Sequence, residues 1–463
     1  MGIETTVGWA AEACRGRLAV GDPSVAIDTV TTDSRELGER NLFVPIVGGK
    51  FDGHDYIRDL ADNGRLRGYL TMRDGDAGIA ERYGIAEIRC DDTLSALGAM
   101  AARRREEVDP EVIALTGTNG KTTTKELLFA LLNARKRCIR NVKNYNNEIG
   151  LPCTLLALKP EHEVAVVEMG MNHPGEIGRL SRIARPDLAL ITNVGEGHLE
   201  FLGSVENVAR AKAEIVSGME PGSVIFLNRE MRCFDLVEKL AREAGLAVET
   251  YGLSRDALIR PDSYRMEDGC VAVTFGGTEV AAPLFGMHNV YNLVAAAAVA
   301  MRYGMTPGEM RDALSGFVNP GGRGRVIRGS FTVIDDSYNA NPLSVTSALG
   351  SIRELFPERR KIAVLADMKE LGESSPSHHE ACGRVAAENG FAMLLAWGEM
   401  AGHYAEGAAE GGMESGGIRC FETKEDLARF LAGSLRPGDV VLVKGSRSMK
   451  MEEVVAAVTE RGE

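Results

Sequence analysis

Short runs of apolar residues alternate with stretches of helical periodicity along most of this chain. In the central part, the runs cover residues 112–115, 164–167, 188–191 and 224–227. Each run is followed by a polar or glycine-rich turn, a pattern that is typical of strands buried on both faces. The alternation of these runs with helical segments predicts a parallel sheet that is covered by helices on both sides.

The same alternation continues towards the carboxyl end of the chain. Residues 331–334, 362–366, 393–397 and 440–443 are apolar runs with helical segments between them. We predict that each run is a strand. The pattern favours a second sheet, in a Rossmann-like domain of its own.

The amino-terminal part is smaller and more polar. We predict a polar turn over residues 29–35, a short strand over residues 41–46 and a helix over residues 93–107. Asp109 and Pro110 then break the chain, because the residue before a proline disfavours helix. These elements predict a small α/β domain that ends there.

A glycine-rich loop follows the first apolar run of the central part, and leucines on one helix face follow the loop. Its candidate phosphate-binding residues are Gly117, Thr118, Asn119, Gly120, Lys121, Thr122 and Thr123. Loop N–H groups and the positive helix end would face an anion, Lys121 adds charge, and Thr122 can hold Mg²⁺. The usual nucleotide loop has a further glycine where this chain has Leu115. A glycine-rich turn before an ordinary helix is the alternative.

These patterns predict an α/β protein of three domains. We expect a small amino-terminal α/β domain over residues 1–109, a central P-loop-type parallel sheet with flanking helices over residues 110–318, and a carboxyl-terminal Rossmann-like domain over residues 319–463. A chain of 463 residues is long enough for about three domains. The linker over residues 319–324 is glycine-rich, and we expect it to be a hinge.

Polar residues directly after the predicted strands are candidates for chemistry, because ligands of parallel sheets bind beyond the carboxyl ends of the strands. Glu168 follows the second run, and His198 lies in the loop after the third. A carboxylate in this position is well placed for Mg²⁺. Glu168 as a capping or surface residue and His198 as a structural histidine are the alternatives.

Further candidates lie later in the chain. Considered by itself, Lys212 is predicted to be one more exposed lysine on a helix. Asn289 and Asn292 share a helix face, where their amides match an adenine edge. Helix capping by Asn289 is the alternative. An arginine on the linker, Arg323 or Arg325, could reach a γ-phosphate.

Composition excludes several classes of protein. The net charge of −13 argues against a general role on nucleic acid or membrane surfaces. The 8 cysteines are scattered without a Cys-x-x-Cys pair, which indicates reduced thiols in a cytoplasmic protein. No apolar stretch approaches the roughly 20 residues of a membrane span, and no signal segment is evident at the amino end.

The motifs, taken in order, resemble those of the Mur ligases, the ATP-dependent amide-forming enzymes of peptidoglycan synthesis. The segments that carry the resemblance are residues 33–35, 51–54, 116–123, 144–150, 168–170, 198, 211–214, 288–292, 335–342 and 444–447. They run through all three predicted domains. The short loop that ends in Gly120-Lys121-Thr122 is the form found in this family.

The resemblance implies ATP and Mg²⁺ and gives roles to the nucleotide residues. Lys121 would contact the β- and γ-phosphates, Thr122 and Glu168 would serve one Mg²⁺, and His198 would serve a second. Lys212 is implied to carry a carbamate, made with CO₂, that supports the second ion. The resemblance alone replaces the expectation of an exposed lysine.

The resemblance also implies which residues would recognise the adenosine of ATP and the other substrates. Asn289 and Asn292 would contact adenine, Asp336 the ribose, and Arg323, better than Arg325, the phosphates. The implied substrate-binding residues are Ser34, Arg35, Lys50 and His54 at the UDP end, Asn144 and Asn147 in the centre, and Lys444, Ser446 and Arg447 in the third domain.

Residues 144–150, 168–172 and 336–342 look like the branch of the family that adds D-alanyl-D-alanine to UDP-N-acetylmuramoyl-tripeptide (UDP-MurNAc-tripeptide). The branch that adds the third amino acid often has the tetrapeptide Asp-Asn-Pro-Arg, which this sequence lacks. We expect a monomer that works through an acyl phosphate. A sibling ligase adding a single amino acid, a folylpolyglutamate synthetase and an ATP-driven switch or binding module are the alternatives.

Overall fold

The structure, a computed structural model, describes residues 2–74, 76–142, 144–267, 269–319 and 321–459. Within these ranges the chain forms three sheets of six strands and one of three. Pro320 of the predicted linker lies outside the described residues, as do Met1 and residues 460–463 at the outer ends of the first and third predicted domains. None of the described helices has the length and apolar composition needed to cross a membrane.

The amino-terminal sheet has the strand order β1-β3-β4-β5-β6-β2, with parallel inner strands and an antiparallel strand at each edge. Its strands are β1 (Gly2–Thr6), β2 (Arg17–Val20), β3 (Ala26–Thr31), β4 (Asn41–Phe43), β5 (Leu66–Thr71) and β6 (Ala86–Arg89), and its helices are α1 (Val7–Ala13), α2 (Ile57–Asp62), α3 (Ala77–Tyr83) and α4 (Thr93–Val108). The predicted helix over residues 93–107 is confirmed as α4.

Two predictions for this part were wrong at their boundaries. The predicted polar turn at residue 29 begins inside β3, which runs to Thr31. Asp28, Thr29 and Thr31 are polar residues of this strand, and Asp28 and Thr29 are only half-buried, so the segment resembles a turn in the sequence. The predicted strand over residues 41–46 ends at Phe43, shortly before Pro45, which has no N–H to donate to a ladder.

The central sheet is fully parallel, with the order β12-β11-β10-β7-β9-β8. Its strands are β7 (Glu111–Thr116), β8 (Cys138–Arg140), β9 (Val164–Glu168), β10 (Leu188–Ile191), β11 (Val224–Asn228) and β12 (Ala247–Tyr251). The first six helices of this part are α5 (Lys121–Asn133), α6 (Gly150–Leu156), α7 (Glu176–Ala184), α8 (Leu199–Leu202), α9 (Val205–Ala213) and α10 (Phe234–Glu243). Because β7 lies between β9 and β10, the loops that follow these three strands meet at one edge.

A small antiparallel sheet, which the sequence pattern did not predict, follows the central one. It consists of β13 (Ser263–Glu267), β14 (Cys270–Phe275) and β15 (Thr278–Ala282), and it precedes α11 (Met287–Arg302) and α12 (Pro307–Leu314). Apolar residues of β14 and β15 share one buried cluster with α11 and with α5. The small sheet therefore covers the outer side of the helix that carries Asn289 and Asn292.

The carboxyl-terminal sheet has the order β16-β17-β21-β18-β19-β20 and is parallel apart from β16. Its strands are β16 (Arg325–Arg328), β17 (Thr332–Asp336), β18 (Lys361–Ala366), β19 (Met393–Trp397), β20 (Ile418–Phe421) and β21 (Val440–Lys444). The helices are α13 (Pro342–Leu355), α14 (Ser375–Glu388), α15 (Ala401–Glu410), α16 (Lys424–Ser434) and α17 (Glu452–Thr459). The eight predicted strands of the central and carboxyl-terminal parts are confirmed within two residues at each end.

A buried arginine joins the amino-terminal part to the central sheet. Arg105 on α4 donates to the main-chain carbonyls of Ala184 and Arg185, each at 3.1 Å, at the end of α7. Its guanidinium also reaches Asp187, at 3.3 Å, just before β10. The last carbonyls of a helix lack partners within the helix, and Arg105 satisfies two of them. The domain boundaries at residues 109 and 319 remain predictions.

We expect Arg105→Met to lower the free energy of unfolding by about 2 kcal/mol, because it leaves buried carbonyls without donors. The matched control is Arg103→Met on the same helix, where the arginine side chain is 58% exposed and pairs with Glu107. An exposed pair of this kind contributes less than about 1 kcal/mol. Urea unfolding measures both variants, and equal losses would contradict the role given to Arg105.

Candidate active site

The loop between β7 and α5 is held in a tight conformation by two glycines. Gly117 and Gly120 have backbone φ angles of 154° and 82°, which residues other than glycine rarely adopt. A Cβ atom on Gly117 would collide with the Thr192 hydroxyl, and one on Gly120 with the Asn292 amide. The loop therefore packs directly against the end of β10 on one side and against α11 on the other.

Hydrogen bonds join this loop to the loop after β10. The Asn119 N–H donates to Asn193 Oδ1 at 2.9 Å, and the Thr118 N–H donates to the Asn193 carbonyl at 3.0 Å. The Thr192 hydroxyl donates to the Asn119 carbonyl at 2.6 Å. The prediction that residues after neighbouring strands meet at one edge is confirmed for these two loops.

Lys121 stands at the first position of α5, beside the loop. Its Nζ donates to the carbonyls of Gly117 and Thr118, at 2.7 and 3.2 Å. Burial lowers the pKa of Lys121; the charge of Glu168 opposes this change and that of Arg323 adds to it. The lysine thus lies within the electrostatic reach of a carboxylate and a second cation.

Glu168 is buried at the end of β9 and faces α5. Its Oε2 accepts a hydrogen bond from the Thr122 hydroxyl at 2.8 Å, and its Oε1 accepts one from Asn146 Nδ2 at 2.7 Å. The side chain is 2% exposed, so the alternative of a surface glutamate is wrong. A hydroxyl and a carboxylate in contact are the oxygen donors that Mg²⁺ prefers.

His198 has a φ angle of 56° and opens α8. Its Nδ1 lies 2.6 Å from Glu370 Oε2, which comes from the carboxyl-terminal domain. The neighbouring His198 ring lowers the pKa of Glu370. Among the described residues, Nδ1 is buried and makes no hydrogen bond of normal geometry.

The protein groups fit part of a cation shell. In the part of the chain that the structure describes, no three side chains of His, Cys, Asp or Glu converge to hold a metal. Mg²⁺ commonly keeps several waters and uses one or two protein oxygens together with substrate phosphates. The pair formed by Thr122 and Glu168 agrees with that mode of binding.

Lys212 is buried on α9, so the expectation of an exposed lysine is wrong. Across the described ranges, its ammonium group has no hydrogen-bond or ion-pair partner. Burial and then the charge of Lys121 lower the pKa of Lys212 well below its usual value. A lysine in this state reaches the neutral amine form more readily than an exposed one.

A cavity of about 690 Å³ opens between the central and carboxyl-terminal domains. Many of the predicted site residues line it: Thr118, Asn119, Gly120, Lys121, Thr122, Thr123, Asn144, Asn147, Glu168, His198, Asn292, Arg323, Asp336, Lys444, Ser446 and Arg447. Gly117 belongs to the loop but is not among the lining residues. Lys212 and Asn289 are outside the lining.

Asn289 and Asn292 have different surroundings despite their common helix face. Asn289 is buried and donates to the Phe285 carbonyl at 2.8 Å. It also accepts a hydrogen bond from Asn292 Nδ2 at 2.8 Å. The structure therefore corrects the direct contact predicted for Asn289: its amide orients Asn292, and only Asn292 faces the cavity.

An aromatic ring holds the linker arginine. The guanidinium of Arg323 lies 3.9 Å from the ring centre of Tyr338, and that of Arg447 lies 5.6 Å from it. Arg325 is exposed on β16. Of the two candidate arginines, Arg323 lines the cavity, and it is the one close enough to affect the pKa of Lys121.

Asp336 and Lys444 lie opposite each other on the paired strands β17 and β21. Lys444 Nζ donates to Asp336 Oδ2 at 2.5 Å and to the Asn339 carbonyl at 2.9 Å. The Ser446 hydroxyl accepts from the Lys369 N–H at 2.9 Å. These contacts give the carboxyl-terminal wall of the cavity a defined arrangement of charges.

A second cavity, of about 610 Å³, lies against the amino-terminal sheet. Asp33 and Arg35 line it, and a hydrogen bond from Arg35 lowers the pKa of Asp33 to about 2. Asn144 and Asn147 line both this cavity and the larger one. The two cavities are therefore neighbours along one surface.

Three predicted substrate residues are not brought to that cavity. Lys50 is exposed, and Ser34 lies beside the lining without joining it. The His54 side chain is buried, with Nδ1 2.6 Å from Asp52 Oδ1 and Nε2 accepting from the Met72 N–H at 3.2 Å. We correct the prediction for His54, since both ring nitrogens are used within the amino-terminal part, Nδ1 by Asp52 and Nε2 by the Met72 N–H.

Sequence reasoning missed several residues of the larger cavity. Glu370 and Lys369 follow the predicted strand over residues 362–366, so the strand-end rule applied to Glu168 would have found them. Tyr338 and Asn341 lie inside the segment 335–342 that the sequence analysis named. No rule of sequence spacing predicts which residues they contact. Their importance depends on contacts with residues far away in the sequence.

Two family models match the chain: the Mur ligase middle domain over residues 115–300 and the Mur ligase glutamate ligase domain over residues 322–447. Among curated proteins, the chain is 36% identical to the UDP-N-acetylmuramoyl-tripeptide–D-alanyl-D-alanine ligase of Bacillus subtilis strain 168, over 99% of both chains.

Two solved structures with the same fold are named MurF. The structure called crystal structure I of MurF from Acinetobacter baumannii has a TM-score of 0.89 and 30% identity, covering 99% of both chains. The MurF ligase of Thermotoga maritima in complex with ADP has a TM-score of 0.79 and 27% identity, covering 93% of this chain and 97% of the other.

We expect Arg323 to meet the terminal phosphate of a bound nucleotide, and Tyr338→Leu to weaken that contact. The variant loses the cation–π contact between the ring and the Arg323 guanidinium, which stabilises this position of the arginine by about 1 kcal/mol. The preference for a non-hydrolysable ATP analogue over ADP should therefore fall about fivefold, as measured by calorimetry. Tyr338→Phe keeps the ring and should retain the preference. Equal behaviour of the two variants would contradict this role.

Proposed function

Since this chain belongs to the Mur ligase family, we propose that it joins D-alanyl-D-alanine to UDP-MurNAc-tripeptide while ATP is converted to ADP and phosphate. Full-length similarity to a relative of that name supports the proposal.

The observation that carries the proposal is the pair of neighbouring cavities joined by Asn144 and Asn147. A UDP-linked peptide is long, with its nucleotide at one end and its reacting carboxylate at the other. Arg35 in the smaller cavity would meet the UDP end, and the peptide would run past the two asparagines. Its carboxylate would then arrive beside Lys121 in the larger cavity.

The reaction we propose has two steps. The peptide carboxylate oxygen attacks the γ-phosphorus of ATP, the bond to the β-phosphate oxygen breaks, and ADP leaves. The neutral amine of D-alanyl-D-alanine then attacks the acyl carbon and loses a proton, an amide bond forms, and phosphate departs with the carboxylate oxygen. An acyl phosphate is needed because the oxygen of a free carboxylate is a poor leaving group.

Residues of this chain would act by charge and by position. Lys121, Arg323 and the N–H groups of the phosphate loop would stabilise the negative charge that gathers on the phosphoryl group. Asn292 would contact adenine, with Asn289 holding its amide in place. Asp336 would accept from the ribose hydroxyls.

Cations complete this arrangement. Thr122 and Glu168 would hold one Mg²⁺, which when bound supplies positive charge to the phosphate oxygens. We propose that Lys212 carries a carbamate: its neutral amine adds to CO₂, an N–C bond forms and a proton leaves. The resulting anion, together with His198, would serve a second Mg²⁺. A buried lysine that has no anionic partner among the described residues supports this assignment.

Closure of the carboxyl-terminal domain would protect the acyl phosphate from water. We propose that the linker over residues 319–324 is the hinge. Gly322 and Gly324 have φ angles of 72° and 73° there, which glycine adopts readily. Lys444, Ser446 and Arg447 would then lie near the peptide substrates. We further propose that the protein acts as a monomer in the cytoplasm.

The first experiment measures phosphate release with Mg-ATP and UDP-MurNAc-tripeptide, with either D-alanyl-D-alanine or single amino acids as the acceptor. We expect that phosphate release requires the dipeptide, because the dipeptide amine attacks the acyl phosphate and displaces phosphate. Release only with a single amino acid would assign the chain to a sibling ligase. Release from ATP alone, indifferent to both substrates, would overturn the ligase assignment.

A second prediction concerns Lys212. We expect Lys212→Ala to lower turnover about a hundredfold, as the loss of a metal-supporting group typically does. A short carboxylic acid should restore part of the turnover by replacing the missing anion. Arg210→Ala is the matched control, since Arg210 is an exposed cation on the same helix. Turnover of Lys212→Ala at the rate of the intact protein would contradict the assignment.

The carbamate itself is measured by ¹³C nuclear magnetic resonance after incubation with ¹³CO₂. Addition to CO₂ requires the neutral amine, and the pKa of Lys212 lies well below that of an ordinary lysine. The labelled signal should therefore persist as the pH falls below the range in which exposed lysines lose their protons. It should be absent from Lys212→Ala.

A further inference from the structure

A pair of side-chain amides crosses from the phosphate loop to the carboxyl-terminal domain. Asn119 Nδ2 donates to Asn341 Oδ1 at 3.1 Å, and Asn341 Nδ2 donates to Asn119 Oδ1 at 2.7 Å. The two residues are 222 positions apart in the sequence. The contact thus joins the loop that follows β7 directly to the start of α13.

The orientation of the Asn341 amide is fixed by its own helix. Asn341 is the N-cap of α13, and its Oδ1 accepts from the Ser344 N–H at 2.9 Å. The Ser344 hydroxyl in turn accepts from the Asn341 N–H at 3.0 Å. The cap fixes the amide so that its oxygen and its nitrogen both face Asn119. The helix therefore presents one acceptor and one donor to the loop in a fixed direction.

The orientation of Asn119 is fixed from the other side. Its N–H and carbonyl are bound by Asn193 and Thr192 at the end of β10. Its side chain is thus the part of the residue that is directed at the carboxyl-terminal domain. The surroundings are close-packed, since a Cβ atom on Gly195 would lie 2.8 Å from Leu343 of α13.

We propose that Asn341 is a positioning residue that sets the phosphate loop when the carboxyl-terminal domain closes. This inference rests on the proposed function and deepens it. Asn341 acts through Asn119: its oxygen is held by Ser344 and Asn119, and its nitrogen by Asn119. Closure by itself would protect the intermediate, whereas closure with this pair also fixes the loop that holds the reacting phosphate.

The test uses Asn341→Ser in the full-length protein. Serine keeps the N-cap, because it is among the preferred cap residues, but it is too short to reach Asn119. We expect kcat to fall about tenfold with little change in the KM for the dipeptide, an effect within the range of coupled pairs. The melting temperature should stay near that of the unchanged protein, because the helix remains capped.

The matched control is Thr306→Ser. Thr306 caps α12 with the same arrangement, a capping box followed by proline, and it is not among the residues that line the cavity. This variant should leave kcat unchanged. Asn341→Asp is a second probe, since aspartate keeps the cap and accepts from Asn119 but has no amide donor. Its kcat should also fall.

A double-mutant cycle decides whether Asn341 acts through Asn119. If it does, Asn119→Ser combined with Asn341→Ser should be no slower than the slower single variant. Additive losses, or an unchanged kcat in Asn341→Ser, would overturn the proposal.

A structural measurement separates this proposal from the proposed function. Small-angle scattering with a non-hydrolysable ATP analogue should show compaction of the unchanged protein and less compaction of Asn341→Ser. This measurement needs no turnover, so it still tests the amide pair if the dipeptide proves not to be the substrate. Equal compaction of both proteins would count against the amide pair.

Discussion

The close packing of the phosphate loop against the end of β10 is the constraint on which the rest of the site depends. Gly117 has no side chain because the Thr192 hydroxyl occupies the space that a Cβ would need. Hydrogen bonds from and to Asn193 then join the two loops. Since β10 and β9 flank β7 in the sheet, this packing also brings Glu168 and His198 to the same edge as the loop.

The electrostatic arrangement follows from that geometry. Lys121 and Arg323 face a region in which Glu168 is the nearby carboxylate, and Lys212 is buried close enough to be affected by the charge of Lys121. Two cations placed together, as Lys121 and Arg323 are, are unfavourable by themselves, because like charges repel and burial removes their hydration. They are favourable around a polyanion such as ATP. The site is therefore built for charge that the substrate brings.

Much of the fold could be predicted from the sequence, because buried parallel strands such as β7 and β10 are continuous apolar runs. Polar edge strands such as β8 and β12, and the three-stranded sheet, lack that signal. The phosphate loop and Glu168 were found because each follows a strong run. Lys212 was not found in this way, since its burial comes from tertiary packing around α9. The opposite surroundings of Asn289 and Asn292 also depend on folding, because helical spacing places both on one face.

The buried arginine between the first two domains has a consequence for how the chain is made. Arg105 on α4 receives two of its carbonyl partners from residues 79 and 80 positions later. A ribosome that adds about 5–20 residues per second needs roughly 4–16 s to reach them. Until then Arg105 lacks these two carbonyl partners. The joint between α4 and the end of α7 is therefore completed only while the central domain is being made.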